Sequence, residues 1–491
     1  MSGRSSVHVM AAGRPVVLRP GAFPGGLGTG LEDATAQIQA LIDLTPVNGT
    51  LELPRGTYLV SKPIVISKPM TLTTRGSSGL RQSADPLAGG SLDLAGYATL
   101  KASPSLVFGF FYPPRDQDKG LLIVRPPEGQ DTLSGVHIRH IALDGNGVNR
   151  GTDRFSNDQM NCSNLNMRRT DNSSFTDSVS FHAVGRGWDP YAHIFVDCTN
   201  LKIDDNLLLE NGESSIGPSG PEYNGSNFAT NTLEVRAETR DVRVEIKRNR
   251  VYDSTILGIV VQTSAGRTMT GEVAYNVIRQ FRSMSYGVGL ELYGDGSFGN
   301  GRLQNPRTTL LVHHNLIDGN AGAATIPGTS TRLRQIPYGL MIGVGPFGNP
   351  PENGVDVQAW QIKGGRIYRN EIRNVQVGVN VDQAGTVASP TYVLDNTVGG
   401  STGLAFNKAP QNLPGYPLNV IVTNQSTVRD RQGKVRQTGK AKLFADNQRP
   451  ASWSDLFTRG SVGGTQEPFR RLIAAAPKPF QGPQRGQGRP N

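Results

Sequence analysis

Cysteine is nearly absent from this chain. Cys162 and Cys198 are the only two in 491 residues, which excludes a disulfide framework and a Cys-based metal site while leaving one pairing between them open. No run of 18 apolar residues occurs, so no spanning helix is expected. The opening MSGRSSVHVMAAGRPVVLRPG holds no apolar stretch of signal-peptide length, so an extracellular or periplasmic location is an inference from fold type alone. Also missing are a phosphate loop, a Ser nucleophile elbow, an H-E-x-x-H motif, EF-hand spacing and an RTX nonapeptide array. Charged residues are few, at 18%, whereas glycines number 60, a balance that suits a turn-rich β protein and excludes a helical bundle or a disordered chain.

The net charge of +10 is unevenly spread. From Arg429 onward there are 13 Lys and Arg against 4 Asp and Glu, leaving 37 against 36 in residues 1–428. The basic character therefore belongs to a tail ending in APKPFQGPQRGQGRPN, and the near-neutral body gives no footprint for nucleic acid. Three regions follow: an extension over 1–31, a repetitive body over 32–428, and a basic, Pro/Gly-rich segment over 429–491 that reads as partly disordered, with FRRLIAAA a candidate closing helix.

The body repeats imperfectly. LKIDDNLLLENGESSIG, VEIKRNRVYDSTILGIVV, GEVAYNVIRQFRSMSYGVGLEL, LLVHHNLIDGNAGAA, GRIYRNEIRNVQVGVNV and TYVLDNTVGGSTGLAF each give a short alternating strand, an Asn, a second apolar pair, a polar turn and a strand opening near Gly. The aligned residues are Asn206, Asn249, Asn276, Asn315, Asn370 and Asn396, at intervals of 43, 27, 39, 55 and 26 residues. Unequal spacing fits a solenoid, because insertions leave from turns without disturbing the stacked strands. At each bend the Asn is expected to adopt the left-handed conformation and to join its neighbours in an amide ladder. The fold expected is all-β, a parallel β-helix solenoid of right-handed coils.

At the front, EDATAQIQALIDL (residues 32–44) places Ala34, Ile38, Leu41 and Ile42 on one helical face and predicts a capping helix over the open end of the solenoid. Alternating strands broken at Pro54, Gly56 and Pro69 follow. The DATAQIQALID run (33–43) and the Pro54-x-Gly56-x-Tyr58-x-Val60 strand pair resemble the opening of the pectate-lyase-like superfamily of right-handed β-helices. The resemblance covers roughly residues 30–425. It implies a carbohydrate-active fold without choosing among lyases, hydrolases, epimerases, transferases and phage tailspikes.

Strand alternation phases the segments near each Gly. Ile259 and Val261 point in, leaving Val260 and Gln262 outward; Val288, Leu290 and Leu292 point in, leaving Glu291 and Tyr293 outward with Asp295 beyond. Met341 faces out, as do Asn380 and Asp382 beside inward Val379 and Val381, and Ala405 and Asn407. These residues would line a solvent-facing groove sized for a chain of sugars. With Met341 between them, Glu291 and Asp382 stand on the order of 10 Å apart, one suited to protonate a leaving oxygen and the other to activate water. Tyr293, Gln262 and Asn380 are candidate sugar contacts.

GRGWDPYAH (185–193) gathers Arg186, Trp188, Asp189, Tyr191 and His193. It resembles a degraded form of the DPH element of mannuronan C5-epimerases, with Tyr191 where that element has its His, and leaves Asp189 as a further candidate acid and Arg186, Trp188 and His193 as candidate substrate contacts. Asp144, Asn146, Asp153 and Asp158 could hold calcium, although turn chemistry accounts for the DGNG run, so no cofactor is required. His313 and His314, as neighbours in a strand, are expected on opposite faces and make no zinc pair. The leading expectation is a glycoside hydrolase acting on a weakly charged polysaccharide. A uronate lyase or epimerase comes next; Arg186 and Arg332 could serve it, but no basic outward row emerges. A non-enzymatic, tailspike-like glycan binder, in which a homo-oligomer would be expected, is third.

Overall fold

The structure is a computed structural model. It describes residues 7–11, 14–18, 28–76, 92–106, 119–146, 161–185, 191–209, 231–252, 257–264, 266–279, 288–295, 307–319, 338–343, 365–375, 377–381, 391–394, 396–399, 402–406, 420–422, 426–429, 435–437 and 442–444. Three long sheets run side by side, and successive strands of the chain are dealt to them in rotation. A coil is seen in Leu201–Asp204 of the first sheet, Leu207–Leu209 of the second and Asn231–Ala237 of the third, each hydrogen-bonded in parallel to its counterpart one coil later. The rotation is that of a right-handed parallel β-helix, the hand that right-twisted parallel strands favour.

The core is the interior of the coils. In the first sheet one inward row runs Leu72, Ile138, Phe175, Ile203, Ile246, Val273, Val312, Ile367 and Val393 through unbroken register. All are fully buried, and each such side chain contributes about 1.5–3 kcal/mol on leaving water. Alternation explains the pattern, as in Val242–Lys247, where Val242, Val244 and Ile246 are buried between more exposed Arg243, Glu245 and Lys247.

The six asparagines stack at the corner between the first and second sheets. Oδ1 of Asn249 accepts from Asn206 Nδ2 at 2.9 Å and from its backbone N–H at 3.2 Å. The same double contact joins Asn249 to Asn276, Asn276 to Asn315, Asn315 to Asn370 and Asn370 to Asn396. One coil earlier Ser178 continues the line, its N–H donating to Asn206 Oδ1 at 3.0 Å. The ladder thus forms as expected, but the bend itself falls one residue earlier. Positive φ belongs to Asp205, Arg248, Tyr275, His314 and Arg369, each immediately before its Asn. The Asn side chain must point inward to reach its neighbours, so the outward-pointing residue before it takes the left-handed turn.

A helix and antiparallel strands lie at the ends of the stack. Helix Thr35–Leu44 buries Thr35, Ile38, Leu41 and Ile42, with Ala34 also covered. Its Gln39 accepts from Val65 N–H at 2.9 Å and donates to Val65 O at 3.0 Å, which satisfies the backbone of Ile64–Ile66, the edge strand of the third sheet. The first sheet begins with Val7–Ala11 and Arg14–Leu18, antiparallel to each other, the former also antiparallel to Gly49–Leu53. At the other end Lys442–Phe444 and Val435–Gln437 pair antiparallel with Val420–Val422 and Ser426–Arg429. Among the described residues no helix is long and apolar enough to cross a membrane. The Pro/Gly-rich tail and FRRLIAAA lie outside the described residues.

Candidate functional site on the third sheet

The third sheet presents two outward rows. The first runs Val65, Ile123, Asn166, Ile194, Glu234, Val260, Glu291, Met341 and Asn380 by direct register. The second carries Arg168, Val196, Arg236, Gln262 and Tyr293. The phasing of Val260, Gln262, Glu291, Tyr293 and Met341 is as their alternation indicates. Val288 is an exception: it clusters with Leu257, Val260 and Met341, apart from the main core. The cause is a glycine corner. A Cβ on Gly289 would meet Ile317 Cγ2 at 2.4 Å and Gly339 O at 2.7 Å, and one on Gly258 would meet Ile278 Cγ2 at 2.8 Å. The glycine takes an inward place ahead of Leu290, so the residue before it is left outside.

The row contains a carboxylate that alternation within the six repeats does not reach. Glu234 belongs to Asn231–Ala237, a third-sheet strand lying inside the long interval between Asn206 and Asn249. Its register partner is Val260, whose next partner is Glu291. Two strand spacings, about 10 Å, therefore separate Glu234 from Glu291 at the backbone. Arg236 Nε donates to Glu234 Oε1, its Nη1 stands 3.4 Å from Glu238 Oε1, and its Nη2 donates to Tyr191 Oη at 2.7 Å while the guanidinium lies 4.6 Å from the Tyr191 ring centre. Beside it Arg168 Nε donates to Asn166 Oδ1 at 3.0 Å; burial lowers the Arg168 pKa and Glu238 opposes the shift. Arg168 and Arg236 thus place two cations in the second outward row, which corrects the expectation that none would appear. The charge of Arg236 is balanced by Glu234 and Glu238.

The face is covered rather than open to solvent. Glu234 is 1% exposed, Arg236 3% and Glu291 5%, and Gln262 is likewise buried; Tyr293 is half-buried. Val260 and Met341 are the register neighbours of Glu291 on either side. Of the other sequence candidates, Asp382, Asp189, Arg186 and Trp188 lie outside the described residues, and only the backbone of Asp295 and Asn380 is described.

His193 is not on this face. It is inward and fully buried, stacked on Phe175 at 5.7 Å, with Nδ1 2.6 Å from Thr232 O and Nε2 2.6 Å from Ser180 Oγ. Burial lowers its pKa to about 4. Strand Tyr191–Val196 places Tyr191 outward and His193 inward, so the histidine is a satisfied core residue instead of a substrate contact. Cys198 is a buried free thiol against Met167 O and Val196 O, each at 3.4 Å, and burial raises its pKa to about 11.

Two further polar clusters lie elsewhere. At the end of strand Ile141–Asp144, Asp144 faces Lys101 at 3.6 Å and His182 at 3.5 Å and accepts from Asn146 N–H at 2.7 Å, while Asn146 Nδ2 donates to Ala102 O. Asn146 takes φ 53°, the turn geometry expected of DGNG; Asp153 and Asp158 lie outside the described residues. On the first sheet, His313 Nε2 is 2.7 Å from Glu272 Oε1, itself paired with Lys247 at 2.5 Å. Tyr368 stacks on His313 and Tyr275 on His314. Both imidazoles share one side of the sheet, contrary to the alternation rule, because His314 sits at the left-handed corner with φ 53°. Among the described residues no group of three or more His, Cys, Asp or Glu is arranged to hold a metal ion.

No protein-family model and no curated protein matches the chain. Solved structures similar to it include the A-module of a mannuronan C-5 epimerase from Azotobacter vinelandii, at 16% identity and TM-score 0.40, covering 79% of this chain and 96% of that one. A tailspike protein of E. coli bacteriophage HK620 is similar at 13% identity and TM-score 0.46, covering 81% and 62%. DFA-IIIase from Arthrobacter chlorophenolicus A6 is similar at 13% identity and TM-score 0.37, covering 85% and 89%. The strand order of the chain itself, with three sheets visited in rotation and the capping helix Thr35–Leu44, gives it a right-handed parallel β-helix fold.

Proposed function

We propose that this protein acts on a polysaccharide and that Glu234 and Glu291, on the outward side of its third sheet, are the carboxyl pair that hydrolyses a glycosidic bond. The observation that carries the reading is the placement of Glu234 and Glu291 in one outward row with a single strand between them. From backbones about 10 Å apart, side chains leaning toward each other reach the separation of roughly 6.5–9.5 Å at which one carboxyl protonates the leaving oxygen while the other activates water. Glu291, between Val260 and Met341, is assigned the acid; Glu234, paired with Arg236, is assigned the base. Tyr293 and Gln262, in the neighbouring row, are assigned to sugar contact. The protein is read as acting outside the cell, on the glycan itself.

Incubation with a panel of neutral and acidic polysaccharides tests this directly. New reducing ends without the ultraviolet absorbance of an unsaturated uronate are expected. That absorbance would instead indicate a lyase, for which Arg168 and Arg236 are the cations on the face. A second reading, binding without cleavage, is favoured by the burial of both carboxylates; retention of glycan without products would establish it.

A further inference from the structure

The first sheet differs from the third in being open to solvent. One of its outward rows runs by direct register from Thr50 through His137, Ser174, Lys202 and Glu245 to Tyr392, and no member of the row is buried. Charge on this face is unevenly satisfied. From strand Val136–Arg139 to strand Arg366–Tyr368 the outward carboxylates are Asp204, Glu245 and Glu272, and each is paired: Asp204 with Arg248, Glu245 with Lys247 at 3.5 Å, and Glu272 with Lys247 at 2.5 Å. Arg139, Lys202, Arg243 and Arg366 are exposed, and none of these four makes an ion pair among the described residues. The face therefore presents to solvent four cations with no anion in contact.

Spacing decides which polyanion fits. Six strand spacings, about 29 Å, separate Val136–Arg139 from Arg366–Tyr368. Four cations over that length suit a polymer of low linear charge, whereas duplex DNA brings one negative charge per about 1.7 Å and would also meet Asp204 and Glu245. No Phe, Tyr or Trp stands outward in the strands that carry Arg139, Lys202 and Arg243, so nucleic-acid bases find no stacking platform there. Hydroxyl-bearing Ser174 and Thr176 lie in the strand between Arg139 and Lys202. Guanidinium forks match carboxylates in bidentate fashion. A sugar chain with carboxylates on its rings meets both requirements, because its charge is sparse and its hydroxyls are many.

We infer that the outer face of the first sheet, centred on Arg139, Lys202 and Arg243, docks a uronate-bearing polysaccharide laid along the column, separately from the carboxyl pair of the third sheet. The choice of polymer rests on the proposed action on polysaccharides; the docking is independent of cleavage. His137 stands inside this patch and reports on it. Its Nδ1 lies 3.0 Å from Ser174 Oγ, and burial together with the charges of Arg139 and Lys202 lowers its pKa. A carboxylate bound beside those two cations offsets their field and moves the His137 titration midpoint upward.

The test uses the full chain with polygalacturonate, its fully methyl-esterified form and duplex DNA. Polygalacturonate is expected to bind with an affinity that falls as salt rises, and to raise the His137 midpoint in an NMR titration. The esterified chain, which has the same rings without the charge, should bind about tenfold more weakly or not at all. Arg139→Gln with Lys202→Gln should lower the affinity for polygalacturonate about tenfold at unchanged melting temperature, both side chains being exposed. Arg243→Gln alone should act in the same direction with less effect. Parent and variants all keep the basic segment from Arg429 onward, so only the first-sheet face differs between them. Equal affinity of parent and variants, a His137 midpoint unmoved by polygalacturonate, equal binding of the ester, or tighter binding of DNA would overturn the inference. Uronate binding without cleavage of any glycan removes the hydrolase reading alone, whereas cleavage of a neutral glycan with no uronate binding removes the docking face alone.

Discussion

Nδ1 of His313 lies 2.8 Å from Nδ1 of His314, close enough that the two imidazoles share a single proton between them. With Nε2–H of neutral His313 donating to Glu272, its Nδ1 is the acceptor, and His314 Nδ1–H donates across the ring pair. Burial lowers the His313 pKa below its ordinary value of 6.5; Glu272 opposes the shift and Lys247 reinforces it.

A group whose folded pKa is depressed in this way, when its neutral form is the buried one, binds protons more tightly in the unfolded chain. His313 and His193 therefore contribute stability that is fully present above about pH 6.5 and is lost as pH falls below it, His193 continuing down to about pH 4. The melting temperature is expected to fall between pH 7.5 and 5. A His313→Gln variant should show a shallower fall, and the His193 ring signals in an NMR titration should not move until well below pH 6. A parent whose melting temperature is flat over this range would contradict the assignment.

The amide ladder is expected to be as sensitive in the middle as the core itself. Asn276→Ala removes the acceptor of Asn249 N–H and Nδ2 and the Nδ2 donor to Ile246 O and Asn315 Oδ1, all in a buried corner, while Asn315 Oδ1 keeps the backbone N–H of residue 276. Roughly 2–4 kcal/mol of lost stability is expected by urea unfolding. Asn396→Ala, at the end of the described ladder, should cost less.

Gly289→Ala is expected to damage stability and the candidate site together. Its Cβ would press on Ile317 and on the carbonyl of Gly339, two positions before Glu291. A drop in melting temperature accompanied by loss of glycan cleavage is the expected outcome.

The Glu234–Arg236 pair should behave as a buried ion pair. Arg236→Met alone removes the cation paired with Glu234, which is 1% exposed, and should cost about 3–5 kcal/mol. Arg236→Met combined with Glu234→Leu should recover most of that loss while abolishing cleavage.

Glu291→Gln should abolish cleavage and leave thermal unfolding nearly unchanged, since the amide keeps the shape and polarity of the carboxyl. Full activity in this variant would remove the acid from the mechanism.

Much of this fold is written at short range. The Asn-apolar corners and the amphipathic run of residues 32–44 specify coil, ladder and cap with local signals alone. Glu234 and Arg236 are harder to read because Asn231–Ala237 lacks the Gly that marks the later strands of its sheet. The local signal is there all the same, since Leu233, Val235 and Ala237 alternate with Glu234 and Arg236 within the 43-residue coil between Asn206 and Asn249. The burial of His193, and of the outward face itself, depends on neighbours many residues away and has no local trace. The pairing of His313 with His314 was hidden for another reason: alternation fails wherever the backbone turns left-handed, as it does at His314.

The reversal of strand direction at both ends has a consequence for how such a molecule can change size. A coil added beyond the antiparallel strands would have to pair across them and could not continue the parallel register. Inside the column, by contrast, any unit that begins and ends on a ladder asparagine meets identical partners above and below. The 27-residue span from Asn249 to Asn276 is such a unit, and its duplication would lengthen the third sheet by a single strand while leaving both terminations intact.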